Sequence, residues 1–450
     1  MFWWLSSFGA AAILFVSFLF ALYSAVLSFI LSFFDENLPE RFSGFQWIIR
    51  AMAVLSVEFL RTKGFLAFPY GIIGYSQWKN PILLKFASFF GIWGVTFFIL
   101  LVNSAFASIV SERNLRLNIK KLAFCMAFAL SVCAFWIFSS FLPESKNIVS
   151  LPVVLVQNAS SASSKDIYDY ERDVSILMKL TAEALEKHSE TEVVVWPETA
   201  VVPDILYHFE HDSDAARHEL SEKLVSFIKN NDCAFIIGNN HRDSSGVHNS
   251  ALYFLPEKNH VQSYNKNYLV PFTEYWPSFL DFKFFDGLKR SLNCEFFVPG
   301  TGLAQFKIKN LSFSSPVCFE DSFPSLIRRM KRFGSDFFVN ISDDAWAGSL
   351  AEKNMHLSMS VFRSAELASP FLRSSIDGIT CLIDSNGMVA SKIQEGKDGW
   401  LFAEIKVSPG KITPYCFWGD FFVILILIFM LILLLILSAG FVKVRCYGRR

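Results

Sequence analysis

Long apolar runs without charged residues occur near both ends of the chain. Residues 8–34 contain no charge, and at 1.5 Å per helical residue this run can cross a hydrocarbon core of roughly 30 Å. Three similar runs cover residues 86–110, 122–142 and 421–442. The pattern predicts four membrane-spanning helices. Because the first run lacks a preceding basic segment and is too long for a signal peptide, we expect it to remain as an anchor.

A weaker apolar run, residues 45–57, is interrupted by Arg50. Its length alone leaves two interpretations open. It is either a fifth span or a helix that is buried in the protein or lies at the membrane surface.

Between residues 151 and 408 the pattern changes to short apolar runs that alternate with amphipathic ones. The short runs predict strands buried on both faces, and the amphipathic runs 169–188 and 214–229 predict helices. Residues 248–266 predict two strands joined by a turn. Strands and helices in alternation indicate an α/β sandwich. The five predicted buried strands are 151–157, 192–196, 233–238, 312–318 and 336–342.

Composition supports a membrane protein with one large domain outside the lipid. The mean hydropathy is +0.36 and only 18% of residues are charged, which is too apolar for a soluble chain of 450 residues. The chain has 41 basic and 41 acidic residues, so no excess of charge argues for a nucleic-acid partner. The expected domains are an N-terminal membrane domain of about four helices (1–145), an α/β domain (146–410) and a C-terminal helix with a basic tail (411–450).

Basic residues beside the spans predict the orientation. The loop "SERNLRLNIKK" (111–121) and the tail "KVRCYGRR" (443–450) are both basic and should therefore be cytoplasmic. One span separates each of them from the α/β domain, which is then displayed on the opposite face of the membrane.

The cysteines and histidines give no metal-binding spacing. Five cysteines (233, 294, 318, 381 and 416) fall in the outer region, so an odd number would leave at least one thiol unpaired. His208, His211 and His218 lie in a charged stretch that favours a solvated surface over a metal site.

Three residues at the ends of predicted strands can perform acyl transfer together. Glu198 follows "VVVWP", Lys266 follows "HVQSYN", and Cys318 ends "SFSSPV". Each alone is more often a surface or packing residue. As a set, a carboxylate can deprotonate the thiol, and a lysine can stabilise the oxyanion that forms when a carbonyl is attacked.

Several sequence motifs around these residues resemble those of the nitrilase superfamily of carbon-nitrogen hydrolases and, more closely, those of the apolipoprotein N-acyltransferase family. They are "VVWPETAVVP", "YNKNYLVPFTEYWP", "VCFED", "VNISDDAWAG", "MHLSMSVFRSAE" and "PFLRSS", with the membrane word "EFLRTKGFLAFPYGIIGYSQ" at residues 58–77. The resemblance implies an α-β-β-α sandwich between transmembrane helices. It also implies about three further spans before residue 8, so either the start of the chain is misassigned or the protein is shortened at its N-terminus.

The resemblance assigns roles to residues of this chain. Glu198 is the expected general base, Cys318 the nucleophile and Lys266 the cation that stabilises the oxyanion. The supporting or substrate-binding residues are Glu274, Glu320, Trp346 and His356. The chain departs from the family pattern at Phe319, Asp343, Ala347, Ser369 and Ile376.

The implied reaction is ping-pong and needs no metal or cofactor. An acyl chain moves from a phospholipid to the cysteine as a thioester, and then to the α-amino group of the diacylglyceryl-cysteine of an apolipoprotein. The enzyme is expected to be a monomer in the cytoplasmic (inner) membrane, with its catalytic domain periplasmic and its C-terminus cytoplasmic.

Two other functions stay open: a membrane-tethered amidase or nitrilase, and an inactive relative that binds lipid or lipoprotein. Residues 279–290, with four phenylalanines beside basic residues, are either an arm that dips into lipid or an edge of the core.

Overall fold

The computed structural model describes residues 10–64, 67–111, 115–140, 147–159, 166–255, 261–278, 281–283, 286–291 and 296–447. The chain divides into two compact units. The membrane unit comprises residues 1–144 and 412–450. The second unit comprises residues 145–411, and we call it the catalytic unit because it contains the predicted candidates Glu198, Lys266 and Cys318.

The described part of the membrane unit is helical. Its helices are α1 Ala10–Asn37, α2 Gln46–Leu60, α3 Pro81–Ser111, α4 Leu115–Ser140, α11 Pro414–Trp418 and α12 Phe421–Tyr447. Five of the helical segments are long and apolar enough to cross a membrane, which agrees with the four predicted spans and adds the weaker fifth, Glu40–Leu60. Arg50, which interrupts that run, pairs with Asp35 at 2.8 Å. The charge that weakened the pattern therefore has a partner within the same unit.

The catalytic unit is built from short helices and strands in alternation. Its described helices are α5 Ile167–Lys187, α6 Ile205–Glu210, α7 Ala215–Lys229, α8 Asp286–Ser291, α9 Pro324–Arg332 and α10 Leu350–Leu367. Its described strands are β1 Val149–Gln157, β2 Val193–Val195, β3 Ala234–Asp243, β4 Gly246–Phe254, β5 Gln262–Asn265, β6 Phe306–Ile308, β7 Leu311–Ser314, β8 Phe337–Asp343, β9 Phe371–Ile376, β10 Cys381–Ile383, β11 Val389–Lys392 and β12 Gly399–Val407.

The strands form two mixed six-stranded sheets. The first has the order β12-β1-β2-β3-β4-β5, and the second has the order β11-β10-β9-β8-β7-β6. Ser374 on β9 donates a hydrogen bond of 2.6 Å to the carbonyl of Val156 on β1, so the two sheets meet face to face. The outer face of the first sheet packs on α5 and α7 through residues such as Leu177 and Leu224. The second sheet carries α10 on its other side, because this helix packs on β9 and β10.

This α-β-β-α sandwich is the fold that the sequence predicted. The predicted helices and the hairpin of residues 248–266 are confirmed as α5, α7 and the antiparallel pair β4–β5. One predicted strand is too long. The run 312–318 is a strand only as far as Ser314, because Pro316 has no N–H to donate and Val317 keeps just an isolated bridge to Ile341.

Three of the four phenylalanines of the predicted lipid arm, Phe279, Phe284 and Phe285, lie outside the described residues. Within it, Phe282 is 62% exposed. Of the three histidines in the charged stretch, His211 stacks on Tyr207, with ring centroids 4.4 Å apart. The described residues contain no group of three or more His, Cys, Asp or Glu side chains that could hold a metal ion.

Candidate active site

Glu198 lies three residues beyond the end of β2, in a turn that requires a glycine beside it. Gly238 of β3 donates its N–H to the carbonyl of Pro197 at 3.1 Å. A Cβ on Gly238 would lie 2.6 Å from the Cα of Glu198, which no side chain permits. Thr199 then adopts a positive φ of 46°, an uncommon conformation for a residue other than glycine. The turn is thus fixed by close packing.

Lys266 follows β5 directly and is held through its backbone. Its N–H donates to the carbonyl of Asn249 on β4, and its carbonyl accepts from Gly300 at 2.8 Å. A Cβ on Gly300 would lie 2.2 Å from the carbonyl oxygen of Asn265. Close backbone approach therefore fixes the lysine as it fixes the glutamate.

Four side chains, Glu198, Lys266, Glu274 and Asn249, form what we call the acid-lysine cluster. Lys266 Nζ donates to Glu198 Oε1 at 3.1 Å and to Glu274 Oε1 at 2.8 Å. Asn249 Nδ2 donates to the same two oxygens at 2.7 and 2.9 Å. The second oxygen of Glu274 accepts from the N–H of Val270. One ammonium thus lies between two carboxylates, and one amide joins them.

The charges of the cluster keep Lys266 protonated. The side chain is 1% exposed, and this burial disfavours the charged form. The attraction of Glu198 and Glu274 outweighs it and raises the pKa of Lys266 well above its ordinary value. A buried ammonium of this kind can stabilise an anion that develops beside it.

Cys318 begins a 3₁₀ turn, Cys318–Ser322, with a positive φ of 49°. Burial and the charge of Glu198 raise the pKa of its thiol well above the usual value, while Lys266 opposes the shift. The three residues predicted from sequence lie near one another, because β8 contacts the Cys318 carbonyl through Asn340 and Glu198 through the N–H of Asp343, and Glu198 pairs with Lys266. A mostly protonated thiol beside a carboxylate needs that carboxylate, or an equivalent base, to become a nucleophile.

Glu320 fixes the loops on either side of the site. Its Oε1 accepts from the hydroxyl of Tyr264 and the N–H of Asn267, and its Oε2 accepts from the N–H of Val317. Burial raises the pKa of Glu320 to about 7 in spite of these hydrogen bonds. The carboxyl group thus links the turn of Cys318 to the chain that follows Lys266.

A second group of ionisable side chains, which we call the buried ion network, consists of Asp321, Asp344, His356 and Arg373. Arg373 Nη1 donates to Asp321 and Nη2 donates to Asp344, both at 2.9 Å. The two nitrogens of His356 contact the same two carboxylates at 3.2 and 2.7 Å. All four side chains are at most 1% exposed. Two negative and two positive groups balance one another.

The pKa values in this network follow from its charges. Burial and Arg373 oppose protonation of His356, but Asp321 and Asp344 outweigh both and raise its pKa to about 9. The cations hold the pKa values of both aspartates below their ordinary range, although burial alone would raise them. The raised pKa favours the charged form of His356 at neutral pH. Its Nδ1 also lies 2.8 Å from Arg373 Nη2.

The network reaches the turn of Cys318 through Asn340. This amide accepts from Arg373 at 2.9 Å and donates to the carbonyl of Cys318 at 3.3 Å. The neighbouring residue Asp343 donates its N–H to Glu198 Oε2 at 2.7 Å, and burial raises the pKa of its carboxyl group to about 7. Trp346 lies with its ring centroid 6.4 Å from that of His356. The supporting residues predicted from sequence thus divide between the cluster, the turn and the network.

Sequence reasoning gave no role to four residues that connect these parts, Asn249, Asn340, Asp344 and Arg373. A signal existed for Asn340 and Arg373, because each is a strongly polar residue within an otherwise buried strand, and such residues are normally paired. Nothing local marks Asn249 as a bridge between two carboxylates, since its partners are 51 and 25 positions away.

Comparison with known proteins gives two family matches. Residues 153–412 match the carbon-nitrogen hydrolase family model. Residues 1–105 match the model of the apolipoprotein N-acyltransferase N-terminal domain. Among solved structures, the carbon-nitrogen hydrolase from Helicobacter pylori G27 is 18% identical, covers 57% of this chain and 89% of its own, and superposes with a TM-score of 0.41.

Curated relatives match over most of their length. Apolipoprotein N-acyltransferase 1 of Treponema denticola is 31% identical over 453 residues, covering 94% of this chain and 82% of that protein. Apolipoprotein N-acyltransferase 1 of Treponema pallidum is 33% identical, covering 83% and 73%. The apolipoprotein N-acyltransferase of Borreliella burgdorferi is 26% identical, covering 82% and 71%. With both family regions matched in one chain, the protein belongs to the apolipoprotein N-acyltransferase family.

Proposed function

We propose that the protein transfers an acyl chain from a phospholipid, through a thioester on Cys318, to the α-amino group of the diacylglyceryl-cysteine of apolipoproteins. The observation that carries this proposal is the buried pair of Lys266 and Glu198, which β8 joins to the turn of Cys318 through Asp343 and Asn340. The names of the relatives support the acceptor, and the apolar helices support access to a lipid donor.

In the first half-reaction Glu198 takes the proton of the Cys318 thiol. The thiolate attacks the ester carbonyl of the phospholipid, and Lys266 stabilises the oxyanion. When the intermediate collapses, the C–O bond breaks and the leaving glycerol oxygen takes the proton from Glu198. The products are an acyl thioester and a lysophospholipid.

In the second half-reaction the uncharged amine of the acceptor attacks the thioester. Lys266 again stabilises the oxyanion, and Glu198 removes a proton from the attacking nitrogen. The C–N bond forms, the C–S bond breaks, and the Cys318 sulfur recovers its proton. Glu274 and Asn249 position the two charged groups, since both contact Glu198 or Lys266 directly.

The proposed setting is the cytoplasmic (inner) membrane, with a monomeric protein. The catalytic domain (146–410) faces the periplasm between the N-terminal domain (1–145) and the C-terminal helix and tail (411–450). The basic loop at 111–121 and the basic tail support this orientation. Membrane helices before and after the catalytic domain tether it to the membrane, which raises the effective concentration of both substrates.

The test uses detergent-purified full-length protein with labelled phospholipid and a diacylated lipopeptide. Cys318→Ala should abolish both the labelled thioester and the N-acylated product. Cys233→Ala, which changes another buried free cysteine, should leave both intact. If the parent makes no N-acylated product but releases ammonia from a small amide, the proposal fails and the amidase interpretation replaces it.

A further inference from the structure

Glu352 is a buried carboxylate that the proposed chemistry does not use. The residue is 2% exposed. Neither of its carboxylate oxygens has a hydrogen-bond partner among the residues that the structure describes. Glu198, Glu274 and Glu320, by contrast, each accept several hydrogen bonds. Because an unpaired buried charge is costly, its retention calls for a positively charged partner.

The neighbouring hydroxyl is free as well. Ser349 is the residue before α10, and the spacing Ser349-x-x-Glu352 is that of a capping box, in which each side chain would bond to the backbone of the other. Here the Ser349 side chain makes no capping hydrogen bond, and its buried Oγ has no partner in the described part of the chain. The helix N-terminus therefore leaves both side chains available for a ligand.

The position of Glu352 links it to the nucleophile. His356 lies four residues later and hence on the same face of α10. Through that face His356 contacts Asp321, which belongs to the turn begun by Cys318. Glu352 thus lies one helical turn before His356, on the face of α10 that contacts the turn of Cys318.

Glu352 lies beside exposed residues of the chain. Gly348 is exposed, and a Cβ added there would lie 4.0 Å from Glu352 Oε2. Leu350 is 51% exposed. The carboxylate is therefore buried next to an exposed stretch between Trp346 and α10.

We propose that Glu352, with Ser349, forms a binding site for a primary ammonium group of a substrate. Two carboxylate oxygens and one hydroxyl offer three acceptors, which match the three donors of an ammonium ion. This site rests on the proposed function, in which two substrates carry such a group. One is the α-amino group of the lipoprotein acceptor before it loses its proton, and the other is the ethanolamine head group of a phospholipid donor.

The two half-reactions distinguish these sources in the full-length Glu352→Gln variant. For the acceptor arm, the isolated acyl-enzyme is mixed with the diacylated lipopeptide or with hydroxylamine, which is uncharged at neutral pH. Binding of the acceptor predicts a KM for lipopeptide raised about tenfold, with kcat little changed and with the hydroxylamine rate unaffected. For the donor arm, head-group binding predicts thioester formation about tenfold slower from phosphatidylethanolamine and unchanged from phosphatidylglycerol.

Conservative and surface variants complete the design. Glu352→Asp should restore part of the loss, and Glu183→Gln, on the exposed side of α5, should change nothing. The Tm of Glu352→Gln should be equal to or above that of the parent, because the substitution removes an uncompensated buried charge. The inference is overturned if no arm changes, if all four rates fall together, or if the Tm falls.

A binding measurement separates this inference from the proposed function. Butylammonium should raise the Tm of the parent and not that of Glu352→Gln, whether or not any thioester forms. An equal Tm shift in both proteins would rule out the ammonium site even if acyl transfer is active. A parent that forms no thioester but shows the selective Tm shift would rule out the proposed function and support the site.

Discussion

Two buried groups of ionisable side chains in the described part of the catalytic unit differ in their balance of charge. The acid-lysine cluster has two carboxylates and one ammonium. The buried ion network has two carboxylates, one guanidinium and one imidazolium. The first group carries an excess negative charge beside the Cys318 thiol, whereas the second is neutral overall.

This difference suits the two groups to different tasks. A balanced network in which every charge has partners holds β8, β9, α10 and the turn of Cys318 in one arrangement, because moving any member strands a buried charge. An unbalanced cluster is held less tightly by its own charges and can accept a proton without leaving an unpaired cation. We infer that the network is scaffold and that the cluster is the reactive part.

Glu198→Gln is the substitution that most strongly tests the role of the cluster. Loss of the general base should slow thioester formation by about 10³-fold. The Tm should hold or rise, because one carboxylate remains to neutralise Lys266. Stopped-flow measurement of labelled acyl-enzyme, with thermal unfolding in detergent, checks both parts.

Glu274→Gln is the matched control, since Glu274 accepts from the same lysine and the same amide. It should slow the reaction about tenfold or less, because the variant loses a positioning group but keeps Glu198 as the proton acceptor. Equal losses in the two variants would show that the cluster acts through charge alone and that Glu198 has no separate role.

Arg373→Met tests the network and should show the opposite pattern. The substitution leaves Asp321 and Asp344 buried with one cation between them, and breaking a buried pair in this way costs about 3–5 kcal/mol of folding free energy. We expect a large fall in Tm, measured by thermal unfolding. Arg172→Met, at an exposed pair on α5, is the control and should not change the Tm measurably; a stable Arg373→Met protein would contradict the scaffold role.

The network also predicts how stability depends on pH. The pKa of His356 is about 9 in the folded protein, above the unfolded value of about 6.5. The stabilisation is therefore complete below pH 6.5 and is lost as the pH rises through 9, by about 2 kcal/mol between pH 7.5 and 9.5. Glu320 and Asp343 titrate near 7, so their effect lies mostly below this window.

His356→Gln provides the comparison for that measurement. The variant should have a lower Tm at pH 7.5 and a flatter dependence of Tm on pH up to 9.5. If parent and variant lose stability in parallel over this range, pairing of a protonated His356 with the two aspartates does not cause the pH dependence.

The sequence predicts more of the acid-lysine cluster than of the buried ion network, for physical reasons. Glu198, Lys266 and Cys318 were predicted as candidates because each follows an apolar run, and the ends of strands are where loops converge. The hydrophobic pattern also predicted the membrane spans and the α/β sandwich, because hydrophobic periodicity reports burial directly. The extent of the strand before Cys318 was wrong because the apolar pattern does not record the missing donor of Pro316.

The network could be predicted only in part. A lone arginine in the buried strand β9 implies a partner, but the sequence does not say which acid, because Asp321 and Asp344 are 52 and 29 positions away. Lys266 and Glu274 are eight residues apart, yet the bridge between them and Glu198 also depends on Asn249 from another strand. Pairings of this kind are set by sheet register, which the local pattern does not contain.

Asn249→Ala tests how tightly hydrogen bonding holds the acid-lysine cluster. The substitution removes an amide that donates to both carboxylates while leaving Lys266 in place. Loss of hydrogen bonds to charged acceptors should cost about 1.5 kcal/mol, or roughly a tenfold slower thioester formation. Asn231→Ala, which removes a donor to a single backbone carbonyl at the end of α7, should leave the rate unchanged. A rate for Asn249→Ala equal to that of the parent would mean that Lys266 alone positions both carboxylates, so that the excess charge of the cluster, and not its hydrogen bonding, controls the thiol.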